Sequence, residues 1–260
     1  MNKLYPVFQY AWHWLHRVNE HSLHSPFLYA LYTQCIKPDQ VNGFESIEQL
    51  RGKLLKNQDS IHIDDLGAGS RVSSSPQRKI SSIAKYSASP PRFSRLLARL
   101  IDYFEYQTIL ELGTSLGLNT LHMAMSKANV NVDTIEGSSS IAQLARQHFQ
   151  EMGAQNIQLH EGNIDVVLPA LLAQNKSIDL AYLDANHRYA PTLTYYELIL
   201  PHLHDKSILV LDDIHWSAEM NQAWNELCDR PEVSLSIDLF EGGILFFDQE
   251  LPKEQYVLAY

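Results

Sequence analysis

The chain has 260 residues, of which 45% are hydrophobic, and this is enough apolar material for a sizeable core without disulfide or metal staples. A net charge of -10, from 20 lysines and arginines against 30 aspartates and glutamates, speaks against nucleic acid as a partner. No apolar run approaches the ~18 residues of a membrane span, so no membrane partner is expected. Cys35 and Cys228 lie far apart, and the first residues lack the unbroken apolar run of a signal peptide. We therefore expect a cytoplasmic protein.

The charges are unevenly distributed along the chain. Residues 1–105 contain 13 basic and 9 acidic residues, whereas residues 106–260 contain 7 and 21. Between Leu66 and Ile101 there is no acid, and the basic residues are Arg71, Arg78, Lys79, Lys85, Arg92, Arg95 and Arg99. We expect this stretch to lie against the acidic half of the chain or of a second copy, to form a solvated face, or to recognise an anionic substrate.

Residues 1–88 are predicted to form an N-terminal helical region with a Ser-rich loop around Ser73–Pro76. The region is expected to cover an active site or to build a homodimer. No matching set of carboxylates or cysteines accompanies its four clustered histidines, which speaks against a metal site at His13, His16, His21 and His24. Ser89, which two prolines follow, is a typical helix start and opens the second predicted domain, residues 89–260.

From Thr108 onward, short apolar strands alternate with amphipathic helices, a pattern typical of a parallel sheet covered on both faces. Helices are predicted to begin near Leu116, Ser138, Ile164, Pro191 and His215. The strands are predicted near residues 108–112, 130–135, 157–160, 178–183, 207–211, 233–240 and 244–248. Only a few residues separate the last two strands, so these form an antiparallel hairpin. The sequence therefore predicts an α/β fold, a doubly wound, mostly parallel seven-stranded sheet with an antiparallel last strand.

The first of these strands runs into a tight glycine turn, Glu111–Gly117, and Glu136 ends the second strand. A carboxylate at that place accepts hydrogen bonds from both hydroxyls of a ribose. Ser115 and Leu118 stand where a dinucleotide fingerprint has glycine, which disfavours a pyrophosphate and favours a cationic sulfonium with a single adenosine. A second glycine turn, Asp64–Ser70, precedes a Ser-rich loop instead of a helix, so it is not expected to bind the cofactor.

At these residues the chain resembles the class I S-adenosylmethionine-dependent methyltransferases, and within them the cation-dependent small-molecule O-methyltransferases that include catechol O-methyltransferase. The resemblance extends from about Ser89 to the end and is most specific over Glu111–Asn119. It implies a Rossmann-like methyltransferase fold and a cofactor site made of Glu111, Gly113, Thr114, Ser115, Asn119, Glu136, Gly137, Ser138, Asn163 and Asp184. Glu111, Gly113 and Asn119 would line the methionine part of the cofactor, and Glu136 would hold its ribose.

Asn163 follows the third strand, where the family contacts adenine. An asparagine amide both donates and accepts, as adenine requires. The alternative is that Asn163 only caps the helix that follows.

Three acidic residues are expected to meet above the sheet edge, because Asp184 ends the fourth strand and Asp212 and Asp213 end its neighbour, the fifth. Oxygen ligands favour Mg²⁺ or a similar hard cation. The resemblance places metal ligands at these three positions, although the family often has asparagine where this chain has Asp213. The alternative is that Asp213 caps the helix near His215 and that Asp184 meets the cofactor amine.

Methyl transfer is an in-line displacement, so the enzyme aligns the two reactants and excludes water. The resemblance places a basic residue near the attacking oxygen at His187, three residues after Asp184, and these two are the predicted catalytic residues. A surface histidine on a loop is the alternative for His187. The predicted function is S-adenosylmethionine-dependent O-methylation of a small molecule, with Mg²⁺ as a hypothetical second cofactor. A non-catalytic S-adenosylmethionine-binding protein and a nicotinamide-dependent oxidoreductase are the alternatives.

Overall fold

The computed structural model describes residues 5–38, 43–63, 77–174 and 176–260. They form two compact units, one from the described residues of 1–40 and 175–260 and the other from those of 41–174. The predicted domains, 1–88 and 89–260, divide the chain differently and remain a prediction. The turn Asp64–Ser70 and the Ser-rich loop at Ser73–Pro76 lie outside the described residues.

Ten α-helices occur in the described ranges. They are α1 Tyr5–His16, α2 Pro26–Leu31, α3 Glu45–Leu54, α4 Ile80–Tyr86, α5 Pro91–Phe104, α6 Leu118–Ala124, α7 Ser139–Glu151, α8 Ile164–Leu172, α9 Tyr189–Ile199 and α10 Ala218–Asp229. A π-helical turn, Tyr32–Ile36, continues α2. Within the same ranges, no helix combines the length and apolarity needed to cross a membrane.

Ten strands accompany these helices in the described part of the chain. They are β1 Ser60–His62, β2 Gln77–Lys79, β3 Thr108–Leu112, β4 Asn131–Glu136, β5 Ile157–Glu161, β6 Ile178–Leu183, β7 Leu203–Asp212, β8 Leu235–Asp238, β9 Gly242–Phe246 and β10 Glu254–Val257. Strands β1 and β2 form a small antiparallel pair in the region predicted to be helical. Strands β3 to β9 correspond to the seven predicted strands.

In the continuous unit, β3, β4 and β5 are parallel neighbours, with Glu111 beside Thr134 in the register. Helix α5 buries one apolar face, on which Leu97 and Leu100 are fully buried. A core cluster contains Phe149 of α7 together with apolar residues from α3, α4 and α6. Because these helices pack beside the strands, the loops after β3 and β4 are held in fixed positions.

In the other unit, the strand order is β10-β8-β9-β7-β6. Strands β6 and β7 are parallel, and β9 runs antiparallel to both β7 and β8, as the predicted hairpin requires. The additional strand β10 pairs parallel with β8. The N-terminal segment attaches there, because the Val18 N–H donates to the Val257 carbonyl at 2.8 Å and the Ala259 N–H donates back to Val18 at 2.9 Å.

The α/β class, with mostly parallel strands and one antiparallel strand, is confirmed. Predicted helix starts differ by a few residues from the observed ones, since α6 begins at Leu118, α9 at Tyr189 and α10 at Ala218. Of these, α10 begins three residues after the predicted position near His215, because Ser217 accepts the N–H of Met220 and caps the helix.

Candidate functional site

The loop after β3 is folded tightly against the end of β4. Gly113 and Gly117 have φ angles of 100° and 79°, in the left-handed region that favours glycine. A Cβ atom at Gly117 would also lie 2.4 Å from Cε1 of Phe149, so a side chain is excluded there. The N–H groups of Gly113 and Thr114 both donate to the carbonyl of Ile135, at 3.0 and 3.2 Å. The sequence therefore needs its two glycines at these positions.

Two backbone N–H groups hold the carboxylate of Glu136 at the end of β4. Its Oε2 accepts from the Ser115 N–H and its Oε1 accepts from the Ser138 N–H, each at 2.9 Å. Ser115 takes a φ of 49° to do so, which is unusual for a residue other than glycine. Because a carboxylate offers about four lone-pair positions, Glu136 can accept further hydrogen bonds from a ligand's hydroxyls. The carboxylate is thus held in a fixed position, and its contact with a ribose stays a prediction.

Glu111 is fully buried beneath this loop. Its Oε2 accepts from the hydroxyls of Thr120 and Thr134, at 2.5 and 2.6 Å, and the Thr114 hydroxyl lies 2.6 Å from that of Thr134. Burial raises the pKa of Glu111 to about 8, although the two hydroxyls act in the opposite direction. Its Oε1 is buried and has no hydrogen-bond partner among the described residues. That oxygen suits an ammonium group, whose charge would favour the ionised carboxyl.

The side chain of Asn119 connects the start of α6 to α5. Its amide Nδ2 donates to the Ser89 hydroxyl at 2.8 Å, and its Oδ1 accepts from the Ser94 hydroxyl at 2.6 Å. Both contacts are buried, so Asn119 holds the loop in place through two serines. Its predicted contact with the methionine part of a cofactor stays a prediction.

Ser138 and Asn163 follow β4 and β5. The Asn163 side chain accepts from the Asp165 N–H at 2.9 Å, so Asn163 caps α8. Its Nδ2 group is not needed for the cap, and an adenine contact stays a prediction. Gly137 precedes Ser138, whose Oγ is buried without a hydrogen-bond partner in the described part of the chain.

The acidic residues belong to the other unit, at the carboxyl ends of β6 and β7. The carboxyl groups of Asp184 and Asp213 both act on the pKa of the buried Asp212 carboxyl. Burial raises the pKa of Asp212 well above its ordinary value, and the charges of Asp184 and Asp213 raise it further. His187 lowers the pKa of Asp212, and its Nε2 lies 3.4 Å from Oδ1 of Asp184. The structure thus brings the two predicted catalytic residues together.

These carboxylates are not assembled as a metal-ligand set. In the described ranges, no three His, Cys, Asp or Glu side chains are close enough together to hold a metal ion. Asp213 has a φ of 55°, and its N–H donates to the carbonyl of Glu241 at 2.8 Å. The alternative that Asp213 caps the next helix is wrong, because Ser217 caps α10. A metal role for Asp184, Asp212 and Asp213 therefore stays a prediction.

Sequence reasoning missed the polar side chains that support the site. Thr120 and Thr134 hold Glu111, and Ser94 holds Asn119 together with Ser89. The pairing of two predicted strands could have indicated one of these contacts. Thr134 on β4 lies directly beside Glu111 on β3 in the parallel register. No sequence pattern indicates the contacts of Ser89 and Ser94 with Asn119.

Comparison with known proteins agrees with this arrangement. Residues 110–214 match a protein family described as a methyltransferase domain. The matched range contains the loop after β3, Glu136, Asn163 and the three aspartates. No protein among the curated sequences matches the chain.

Several solved structures share the fold. The O-methyltransferase TomG from Streptomyces achromogenes, in complex with SAM, is 21% identical over 62% of this chain and 81% of its own, with a TM-score of 0.54. The O-methyltransferase from Bacillus cereus, in complex with SAH, is 14% identical over 84% of this chain and 96% of its own, with a TM-score of 0.56. SAH-bound PaMTH1 from Podospora anserina is 16% identical over 81% of this chain and 98% of its own, with a TM-score of 0.56. These similarities confirm the Rossmann-like methyltransferase fold.

Proposed function

We propose that this chain, whose residues 110–214 are a methyltransferase domain, transfers a methyl group from S-adenosylmethionine to an oxygen of a small molecule. The carboxylate of Glu136 carries the proposal, because two backbone N–H groups hold it in the matched range at 2.9 Å each. A carboxylate fixed after the second parallel strand is the group that recognises a ribose in such sheets. Ser115 and Leu118 replace the glycines that a dinucleotide needs, and this disfavours a nicotinamide-dependent oxidoreductase.

The residues that follow β3, β4 and β5 each recognise a different part of the cofactor. Glu136 accepts the ribose hydroxyls, and Glu111 accepts the cofactor's ammonium group at its unpartnered Oε1. Asn163 donates from the Nδ2 group that the helix cap does not use. Asn119 acts as a positioning residue, since its amide is engaged by two buried serines. Gly113, Thr114, Gly137 and Ser138 contribute the backbone of the loops around the cofactor.

His187 and Asp184 handle the proton of the acceptor. The imidazole Nε2 of His187 lies 3.4 Å from Oδ1 of Asp184, whose carboxylate orients the ring. His187 Nδ1 is buried without a hydrogen-bond partner among the described residues. The histidine accepts the proton that the acceptor hydroxyl loses as its oxygen attacks the methyl carbon. Because the reaction is a displacement, the remaining task of the chain is to align the reactants.

Mg²⁺ is the proposed second cofactor, held by Asp184, Asp212 and Asp213. Carboxylate oxygens are the donors that a hard cation prefers, and the charges of Asp184 and Asp213 both raise the pKa of Asp212. The three side chains would have to move closer together to ligate the ion, because they form no metal-ligand set among the described residues. Bound there, a divalent cation would favour the deprotonated form of an acceptor hydroxyl. Excess chelator is expected to abolish turnover, and full activity under chelation would remove the metal from the proposal.

Calorimetric titration with S-adenosylhomocysteine tests the cofactor assignment. Micromolar binding is expected for the natural chain, and Glu136→Gln is expected to weaken it at least about tenfold through loss of charge-assisted hydrogen bonds. Glu151→Gln, an exposed change at the end of α7, is the matched control and should bind as the natural chain does. Absence of binding by the natural chain would overturn the proposal.

Turnover separates an enzyme from a protein that only binds the cofactor. We expect release of S-adenosylhomocysteine when vicinal diols or phenols are supplied as acceptors, and a loss of that release in His187→Gln with unchanged cofactor affinity. Titration with NADH under the same conditions is expected to show no binding. The small-molecule acceptor, the cytoplasmic location and a homodimer built by the N-terminal region belong to the same proposal.

A further inference from the structure

A cavity of about 510 Å³ lies within the unit that contains both ends of the chain. Helices α1 and α10 and strands β8 and β10 form its walls. Four aromatic side chains line it, and these are Phe8, Trp12, Trp224 and Tyr256. Its size is within the range of sites that enclose small molecules. Phe8 and Trp12 are 66% and 46% exposed, whereas Trp224 is 4% exposed, so the aromatic lining includes both exposed and buried side chains.

The cavity is separate from the proposed methyl-transfer residues of the same unit. Among the described residues that line it, none is Asp184, His187, Asp212 or Asp213. Its polar lining consists mainly of amides, from Gln9, Asn221, Asn225 and Gln255, with Asp238 as the acidic residue. No lysine or arginine is found among these described lining residues. The described part of the wall therefore has no permanently positive side chain that would attract an anion such as a phosphate.

Neighbouring groups hold the carboxyl of Asp238 in place. Its Oδ1 accepts from the Phe240 N–H at 2.8 Å, and its Oδ2 lies 2.7 Å from Nε2 of His215. The Asn221 Nδ2 group lies 3.2 Å from the other ring nitrogen of His215. His13 Nε2 lies 3.5 Å from Oδ1 of Asp238, yet neither ring nitrogen of His13 has a hydrogen-bond partner among the described residues.

Among the described residues, histidines and no lysine or arginine make the close ion-pair contacts of Asp238. Burial lowers the pKa of His13, although Asp238 acts in the opposite direction. A cation is attracted both by such a carboxylate and by the faces of tryptophan and tyrosine rings. The same rings stack with a flat aromatic ligand. Charge and shape thus point to one class of ligand.

We propose that this cavity binds a small, flat aromatic cation, with its ring against Trp12 and Trp224 and its positive charge towards Asp238. The site is independent of the proposed methyl transfer, and its ligand is recognised by residues that the methyltransferase assignment does not use. The amides around the mouth supply hydrogen bonds to ring nitrogens or amino groups at the edge of the ligand.

Two probes of the same three-ring size test the charge preference. The cation 9-aminoacridine is expected to bind one site per chain, with quenching of tryptophan fluorescence, and the anion anthracene-9-carboxylate is expected to bind at least about tenfold more weakly. Glu136→Gln is expected to leave 9-aminoacridine binding unchanged while it weakens S-adenosylhomocysteine binding. The two proposals can therefore fail separately.

Two pairs of variants test the location. Trp12→Ala removes a ring that lines the cavity, whereas Trp14→Ala removes an exposed ring of the same helix that does not. Asn225→Lys places a positive charge on the wall, and Gln222→Lys places the same charge on an exposed position of α10 outside it. The first member of each pair is expected to weaken 9-aminoacridine binding about tenfold, and the second to leave it within about twofold.

Circular dichroism spectra confirm that each variant is folded before its affinity is compared. Absence of saturable binding by the natural chain would overturn the proposal. Equal binding of the two probes would refute the charge preference. Affinities that are the same within each pair of variants would refute the location.

Discussion

The buried carboxyl of Glu111 makes the stability of the chain depend on pH in an unusual direction. Burial raises the pKa of Glu111 to about 8 in the folded chain, from an ordinary value of 4.5. Below pH 4.5 the group is protonated in both the folded and unfolded states, and it has no effect on the pH dependence. As the pH rises towards 8, only the unfolded chain can ionise freely, so the folded state loses stability.

The substitution Glu111→Gln removes this ionisation and keeps an acceptor for the hydroxyls of Thr120 and Thr134. Each pH unit between the two pKa values costs the natural chain about 1.4 kcal/mol of unfolding free energy. Between pH 5 and pH 8, the natural chain is therefore expected to lose about 3.5 kcal/mol relative to Glu111→Gln. All other titrating groups are shared by the two proteins, so they cancel in the difference.

Urea unfolding at pH 5, 6, 7 and 8, without cofactor and followed by circular dichroism, measures this difference. Glu151→Gln is the matched control, because it removes an exposed carboxylate, and its unfolding free energy should remain parallel to that of the natural chain. If the difference between Glu111→Gln and the natural chain stays constant within about 1 kcal/mol from pH 5 to pH 8, the reasoning about burial is refuted.

Gly117→Ala is expected to lower the unfolding free energy by about 2 to 4 kcal/mol, because its φ is 79° and a Cβ atom would lie 2.4 Å from the ring of Phe149. Gly153→Ala is the control in urea unfolding, since its φ is 67° with nothing within 4 Å of the added atom; equal losses would contradict the steric argument. Asn163→Asp keeps the cap of α8 and removes the Nδ2 donor, so S-adenosylhomocysteine affinity should fall in calorimetry while urea stability is retained. Asn163→Ala should also lose about 1 kcal/mol of stability, and an unchanged affinity in Asn163→Asp would exclude the adenine contact.

The strands and loop ends were predictable because their signals are local. The run Thr108–Leu112 is apolar and short, and the structure has a strand over the same residues. The carboxylate of Glu136 could be assigned a place because a residue that ends a strand must lie at the carboxyl edge of the sheet. The hairpin of β8 and β9 followed from the length of its connection alone.

Features that depend on packing between distant parts of the chain were not predictable in the same way. His13 has its carboxylate neighbour at Asp238, which no spacing within the N-terminal region could reveal. Strand β10 was missed because it is an edge strand with a half-exposed surface, so it lacks the apolar run of the central strands. The positive φ of Asp213 could not be predicted either, because residues other than glycine adopt it only rarely.

The pairing of Val18 with the strand at the far end of the chain has a consequence for folding during synthesis. One unit is a continuous stretch within residues 41–174, and it can fold once those residues have left the ribosome. In the other unit, Val18 pairs with the carbonyl of Val257 and the N–H of Ala259. Its N-terminal segment can therefore form these hydrogen bonds only after almost the whole chain has been synthesised. Helix α1 exposes Phe8 and Leu15 by 66% and 71% even when folded, and it is the part of the nascent chain that we expect a chaperone to protect longest.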